Sequence, residues 1–252
     1  WNLGIQEAKG DYVTRIDAHG YADPDFIFQS VKVMGEIRDA VCVGGKVRSE
    51  ATTPNGEIIA NVLSSPFGVG NSKFRVSNTT GYSDTVAFGL YKKEIFEQVG
   101  YFDETLKRNQ DNDMHARIRS VGGKFYFDPR IKSTYFTRDS ASAMLRQGYQ
   151  NGKWNMIVFK QDRNSLSTRH MIPFIFVIGI IGSMILGVIN NLFWWILLGV
   201  LLLHLILGLV FATKKTKTFK SLLLMPILFM LLHMCYGTGS LVGIFMSEQR
   251  EE

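Results

Sequence analysis

The chain has 252 residues, 46% of them hydrophobic and 20% charged, and a formal net charge of +6. Residues 1–170 hold 23 Lys and Arg against 19 Asp and Glu, a small and scattered surplus that excludes a nucleic-acid-binding stripe. The two cysteines, Cys42 and Cys235, exclude a disulfide framework and a cysteine metal cluster.

Residues 1–165 are predicted to form one soluble α/β domain with a mainly parallel sheet, because strand-like and helix-like segments alternate. Asp11–Ile16 has the pattern of a strand, with Asp17 at its end. Asp23-Pro24 then offers a helix start, with Ile27, Val31 and Met34 on one face. Ala40–Val47 is predicted as a strand and Arg48–Gly56 as a polar loop. Ser65–Ser77 is predicted irregular, with Gly68 and Gly70 as pivots, and loops of that length are often functional. A strand over Ala87–Tyr91, a helix over Lys93–Val99 and a helix over Asn112–Val121, ended by Gly122-Gly123, come next. Two short strands are expected at Lys124–Phe127 and Lys132–Phe136. Ser140–Lys160 is predicted to be a helix whose aromatics and lysines suit a membrane surface.

Residues 166–252 are predicted to be a membrane part. Its three apolar runs, Ile172–Ile189, Leu192–Ala212 and Leu222–Met246, each have the length to cross a hydrocarbon core of about 30 Å. Lys214, Lys215, Lys217 and Lys220 stand between the second and third runs, which predicts a cytoplasmic loop. Arg163 and Arg169 are then cytoplasmic, the turn Asn190–Asn191 and the tail Ser247–Glu252 lie outside, and the soluble domain is cytoplasmic. His204 and His233 are the weakly ionisable groups inside the runs.

Three constellations could carry chemistry, and each has a plainer explanation. Asp17-Ala18-His19 follows a strand end, where ligands of open α/β sheets gather. The pair could hold a divalent cation or simply make a polar turn. Gln110-Asp111-Asn112-Asp113 opens a helix, where acids either cap or act as a general base. Gln150-Asn151-Gly152-Lys153-Trp154 offers a flat ring, a cation and an amide, or an interfacial anchor with a snorkelling lysine. Ser83-Asp84-Thr85 could contact a sugar through Asp84, although a turn explains it as well.

The order of these motifs resembles the family 2 glycosyltransferases of GT-A fold. The likeness is greatest to membrane-bound bacterial enzymes of succinoglycan-type exopolysaccharide synthesis. The resemblance rests on Asn2–Asp25, Ser65–Arg75, Asp84–Gly100, Asn109–Arg119 and Arg146–Trp154. It implies that Asp17 and His19 hold Mg2+ or Mn2+ on the diphosphate of a nucleotide-diphosphate sugar donor. Asp111 would be the general base, and Asp113 would shape the acceptor side. Gln150, Lys153 and Trp154 would stand near donor and acceptor, with Lys153 where the family has Arg, losing the bidentate fork.

The implied reaction is inverting transfer to a lipid-linked or saccharide acceptor, on a multi-pass protein of the bacterial inner membrane that contacts membrane lipids and no nucleic acid. Only residues 1–16 precede Asp17, so the resemblance also implies that the first strands of the nucleotide pocket lie upstream and that this stretch alone is inactive. A processive polysaccharide synthase and a non-catalytic sugar- or nucleotide-binding scaffold are the alternative readings.

Overall fold

The computed structural model describes residues 1–246; the tail Ser247–Glu252, expected outside the membrane, lies outside the described residues. In chain order the elements are α1 (Asn2–Glu7), β1 (Tyr12–Thr14), β2 (Gly20–Ala22), α2 (Phe26–Glu36), β3 (Ala40–Glu50), α3 (Pro54–Leu63), α4 (Pro66–Val69), α5 (Lys73–Val76), β4 (Gly81–Ser83), β5 (Leu90–Lys92), α6 (Ile95–Val99), α7 (Gln110–Ser120), β6 (Lys124–Phe136), α8 (Ala141–Gln161), α9 (Thr168–Gly187), α10 (Leu192–Thr213) and α11 (Phe219–Phe245). They fall into two compact units. The first is Trp1–Glu50, Asn71–Phe136 and Asp162–Ser165, and the second is Ala51–Gly70, Thr137–Gln161 and the residues from Leu166 onward. Residues 51–70 and 137–161, which the linear reading gave to the soluble domain, group with the apolar helices.

The first unit is built on one sheet of order β1-β5-β3-β6-β2, with β4 also on β6. The expected mainly parallel sheet is corrected here. Only β3 and β6 run parallel, from Ala40 beside Lys124 to Glu50 beside Phe136, and the other pairings are antiparallel. A parallel pair needs a long crossover. Between β3 and β6 the chain has several helices to make one, whereas β1, β2, β4 and β5 are three-residue strands laid antiparallel on their neighbours. The two strands expected at 124–127 and 132–136 are one strand. The register slips between Gly44 and Lys46, opposite Phe127–Lys132, and Pro129, which cannot donate to the ladder, sits in that irregularity. Buried Asp128 closes the kink by accepting from the Arg130 backbone N–H at 2.8 Å.

Two apolar clusters fill the unit. One joins Ile5, Val13, Cys42, Tyr91, Phe96, Met114, Ile118 and Phe125, and the other joins Phe26, Val33, Met34, Val43, Leu90 and Ile131. The second corrects the reading of α2. The helix begins at Phe26 after Asp25, because the Asp23 carboxylate is engaged by Arg48. Its buried face is Phe26, Ser30, Val33 and Met34, while Ile27 and Val31 are exposed.

In the second unit Thr53 caps α3 by accepting from the Gly56 N–H at 3.0 Å, so the polar loop expected through Gly56 ends in a helix start. The region expected to be irregular contains the short α4 and, in the first unit, α5. Three helices, α9, α10 and α11, are long and apolar enough to cross a membrane. α8 packs along α11 where both carry glycine: a Cβ on Gly152 would overlap the Tyr236 carbonyl, and one on Gly239 the Tyr149 carbonyl. Ser240 donates to the Gly152 carbonyl at 3.3 Å, and Asn155 donates to the Tyr236 hydroxyl.

Gly152→Ala and Gly239→Ala are each expected to destabilise the protein by about 1–3 kcal/mol through overpacking. Gly199→Ala, where nothing stands within 4 Å, is expected to be neutral. Thermal unfolding of the detergent-solubilised protein checks this, and equal melting of all three variants would contradict the packing described.

Candidate active site

Because β3 and β6 are parallel, their carboxyl ends share one edge, where ligands of α/β sheets bind. A cavity of about 180 Å³ opens there. Val47 of β3 and Tyr135 of β6 line it, with Tyr91 of β5, Asp17 after β1, Phe74 and Arg75 of α5, and Asp111 of α7. The segment Val86–Gly89 closes one side, and within it Phe88 holds φ 49. A bulky side chain in that left-handed region is strained, and such strain clusters at functional sites.

Asp111 sits in the first turn of α7 and is not its cap. The N-cap is Asn109, itself left-handed at φ 60. Capping therefore does not account for Asp111. Burial raises the Asp111 pKa, the Arg15 guanidinium lowers it, and the Asp17 carboxylate raises it. Its side chain keeps 56% of its surface open. Arg15 links the two acids: its Nε is 2.9 Å from Asp17 and its Nη2 is 4.0 Å from Asp111. Two carboxylates facing one cavity repel, and the shared guanidinium offsets that repulsion.

Not every residue singled out from sequence reaches this cavity. His19 lies outside its lining, with its ring edge-on to Tyr135 at 4.7 Å between centroids. Asp113 is turned away: Arg117 donates to it at 2.7 and 3.0 Å and also ties down the carbonyls of Val99 and Tyr101 at 2.6 and 2.9 Å. Its carboxylate thus helps hold α7 to the end of α6 through Arg117. Asp84 accepts through its backbone carbonyl from Arg119 at 2.5 Å, and its side chain is not in the lining. Gln150, Lys153 and Trp154 lie on α8 of the second unit.

Sequence reasoning missed Arg15, Arg75 and His115. His115, four residues after Asp111 on α7, is buried and bridges two hydroxyls, Thr85 Oγ1 at 2.7 Å on Nδ1 and Tyr91 OH at 2.6 Å on Nε2. A neutral imidazole has one donor and one acceptor, which suits two hydroxyls. Desolvation, with Arg119 nearby, lowers its pKa to about 3. The two arginines gave no motif, since their meaning lies in which acids they meet.

The chemistry of the donor set can be weighed against Mg2+ or Mn2+. No group of three or more His, Cys, Asp or Glu converges among the described residues. A protein-only cage is therefore absent among them, but Mg2+ commonly takes one or two protein carboxylates and completes its shell with water and substrate phosphate. Asp17, which lines the cavity, offers one carboxylate of that second kind, whereas His19 lies outside the lining.

Residues 1–100 match the family model described as glycosyl transferase family 2. This part of the chain is similar to family 2 glycosyltransferases. The glycosyltransferase match contains Asp17 and His19 and stops short of Asp111. A relative from Methanococcus voltae, dolichyl N-acetyl-alpha-D-glucosaminyl phosphate 3-beta-D-2,3-diacetamido-2,3-dideoxy-beta-D-glucuronosyltransferase, is 24% identical over 97% of this chain and 74% of its own length. Succinoglycan biosynthesis protein ExoA of Rhizobium meliloti is 25% identical over 66% of this chain and 50% of its own length. A solved structure of GalNAc-T7 with UDP, GalNAc and Mn2+ covers 65% of this chain and 36% of that one, at 13% identity and a TM-score of 0.38, too slight a likeness to argue from.

The neutral state of His115 sets a pH dependence. An unfolded histidine takes a proton near pH 6.5, the folded one only near 3. Between those values the unfolded chain binds more protons. The contribution is therefore complete above about pH 6.5 and is lost as pH falls, at up to about 1.4 kcal/mol per pH unit. Melting followed from about pH 7.5 to 5.5 should fall more steeply in the wild type than in His115→Leu. Parallel slopes would show that His115 is not held neutral.

Proposed function

We propose that the protein transfers a sugar, with inversion, from a nucleotide-diphosphate sugar to a lipid-linked saccharide at a membrane. The observation that carries this reading is the meeting of Asp17 and Asp111 in one cavity at the carboxyl ends of β3 and β6, joined by Arg15. The family match supports the transferase class, and the three apolar helices and the Methanococcus voltae relative's name support a lipid-linked acceptor. The lysines between α10 and α11 support a cytoplasmic loop there, and with it a cytoplasmic site of transfer.

Asp111 is the general base. Its carboxylate takes the proton of an acceptor hydroxyl as that oxygen bonds to the anomeric carbon. The bond from that carbon to the diphosphate breaks on the opposite face, and the electron pair leaves with the nucleoside diphosphate. No covalent enzyme intermediate forms. Arg15 keeps Asp111 ionised and in place. Asp17 and His19 would hold a divalent cation, which when bound neutralises charge on the diphosphate. For Gln150, Lys153 and Trp154 the family pattern alone supports a role in donor or acceptor binding.

Asp111→Asn tests this. In membranes carrying the protein, sugar transfer from a panel of nucleotide sugars is expected to fall by about a hundredfold or more, with donor binding retained. The wild-type rate is expected to fall in acid with a limb above the ordinary Asp value of about 3.9, since the base is held above it. Unchanged turnover in the variant would support a non-catalytic sugar-binding scaffold instead.

A further inference from the structure

Two guanidinium groups and two carboxylates face the cavity, and the charges are not evenly shared. Arg15 serves both acids and also lies over the Trp1 ring at 4.8 Å. Arg75 meets no carboxylate among the described residues. Its contacts are one long hydrogen bond, Nη1 to Ser49 Oγ at 3.4 Å, and the rings of Phe74 and Tyr135, each with its centroid 5.6 Å from the guanidinium carbon.

Rings attract a cation weakly and cannot neutralise it. A half-buried guanidinium stays charged, and holding it without a counter-ion is costly. Burial lowers the Arg75 pKa, in keeping with that cost. The cost persists only where something offsets it, and Arg75, which meets no carboxylate among the described residues, leaves that place to a ligand.

We propose that Arg75 binds an oxygen of the donor's diphosphate and gives the leaving group a fixed cation from the protein itself. The identity of the ligand rests on the sugar-transfer reading; the need for an oxyanion does not. A diphosphate is favoured over a sugar carboxylate because the same cavity carries Asp17, the acid proposed to hold a cation on that diphosphate. A guanidinium contacts phosphate oxygens bidentately, which a lysine cannot.

The test uses the solubilised full chain and inorganic pyrophosphate, titrated calorimetrically with EDTA present so that no metal contributes. The wild type is expected to bind. Arg75→Gln is expected to weaken binding by about tenfold or more, and Arg75→Lys to restore part of it. Arg75→Gln is expected to melt no lower than the wild type, since it removes an unpaired charge; Arg15→Gln, which strips two acids of their partner, is expected to melt lower. Absence of wild-type binding, or equal binding by Arg75→Gln, would overturn the assignment. Arg75-dependent binding of glucuronate in place of pyrophosphate would overturn the diphosphate as ligand. If Asp111→Asn kept full turnover while the pyrophosphate results held, the sugar-transfer mechanism would fall and the anion site would stand.

Discussion

Residues 40–50 and 124–136 run side by side in the same direction, and the candidate site follows from that pairing. It brings the ends of β3 and β6 to one edge, with Val47 and Tyr135 as the floor of the cavity. β5 lies antiparallel on the other side of β3 and carries Tyr91 to the same place. α7 follows on from the cluster of Ile95, Phe96 and Phe102, and its buried Met114 and Ile118 press it to the sheet so that its first turn delivers Asp111. Each catalytic candidate is thus held by an element whose other face is core.

Charge then organises what packing has gathered. One arginine is divided between Asp17 and Asp111, so neither acid is free and neither is fully neutralised. The second arginine has rings beside it and no acid. His115, one turn after Asp111 on α7, is a buried uncharged bridge between Thr85 and Tyr91, and its neutrality keeps another positive charge off that helix. The result is a cavity with two acids, one shared cation and one unshared cation, an arrangement suited to a polyanionic ligand and a proton-accepting carboxylate.

Much of this was legible in the sequence, and the limits have physical causes. The apolar helices were legible because a run of twenty or so apolar residues has few alternatives; their ends at 168–187, 192–213 and 219–245 differ from expectation by a few residues, where polar first turns join the helix. Asp17 and Asp111 were legible as a strand end and a helix start. The strand directions were not, because alternation of elements fixes neither pairing nor direction, and three-residue strands carry almost no pattern. α2 was shifted because Asp23 was taken as a cap when Arg48, distant in sequence, engages it. Asp113 was assigned with Asp111, yet two residues along a helix turn a side chain to a different face, and there Arg117 waits one turn on. Arg75 and His115 were invisible for the same reason: what sets them apart is the partner each lacks or has, and partners come from tertiary structure.

The most direct measurement is an experimental structure of the protein with a nucleoside diphosphate and Mn2+. The diphosphate is expected in the cavity between Arg75 and Asp17, with the Asp111 carboxylate on the open side facing the place of the sugar. A diphosphate bound elsewhere, with Asp17 and Asp111 still locked to Arg15 and no ligand between them, would contradict the assignment of this cavity as the site of transfer.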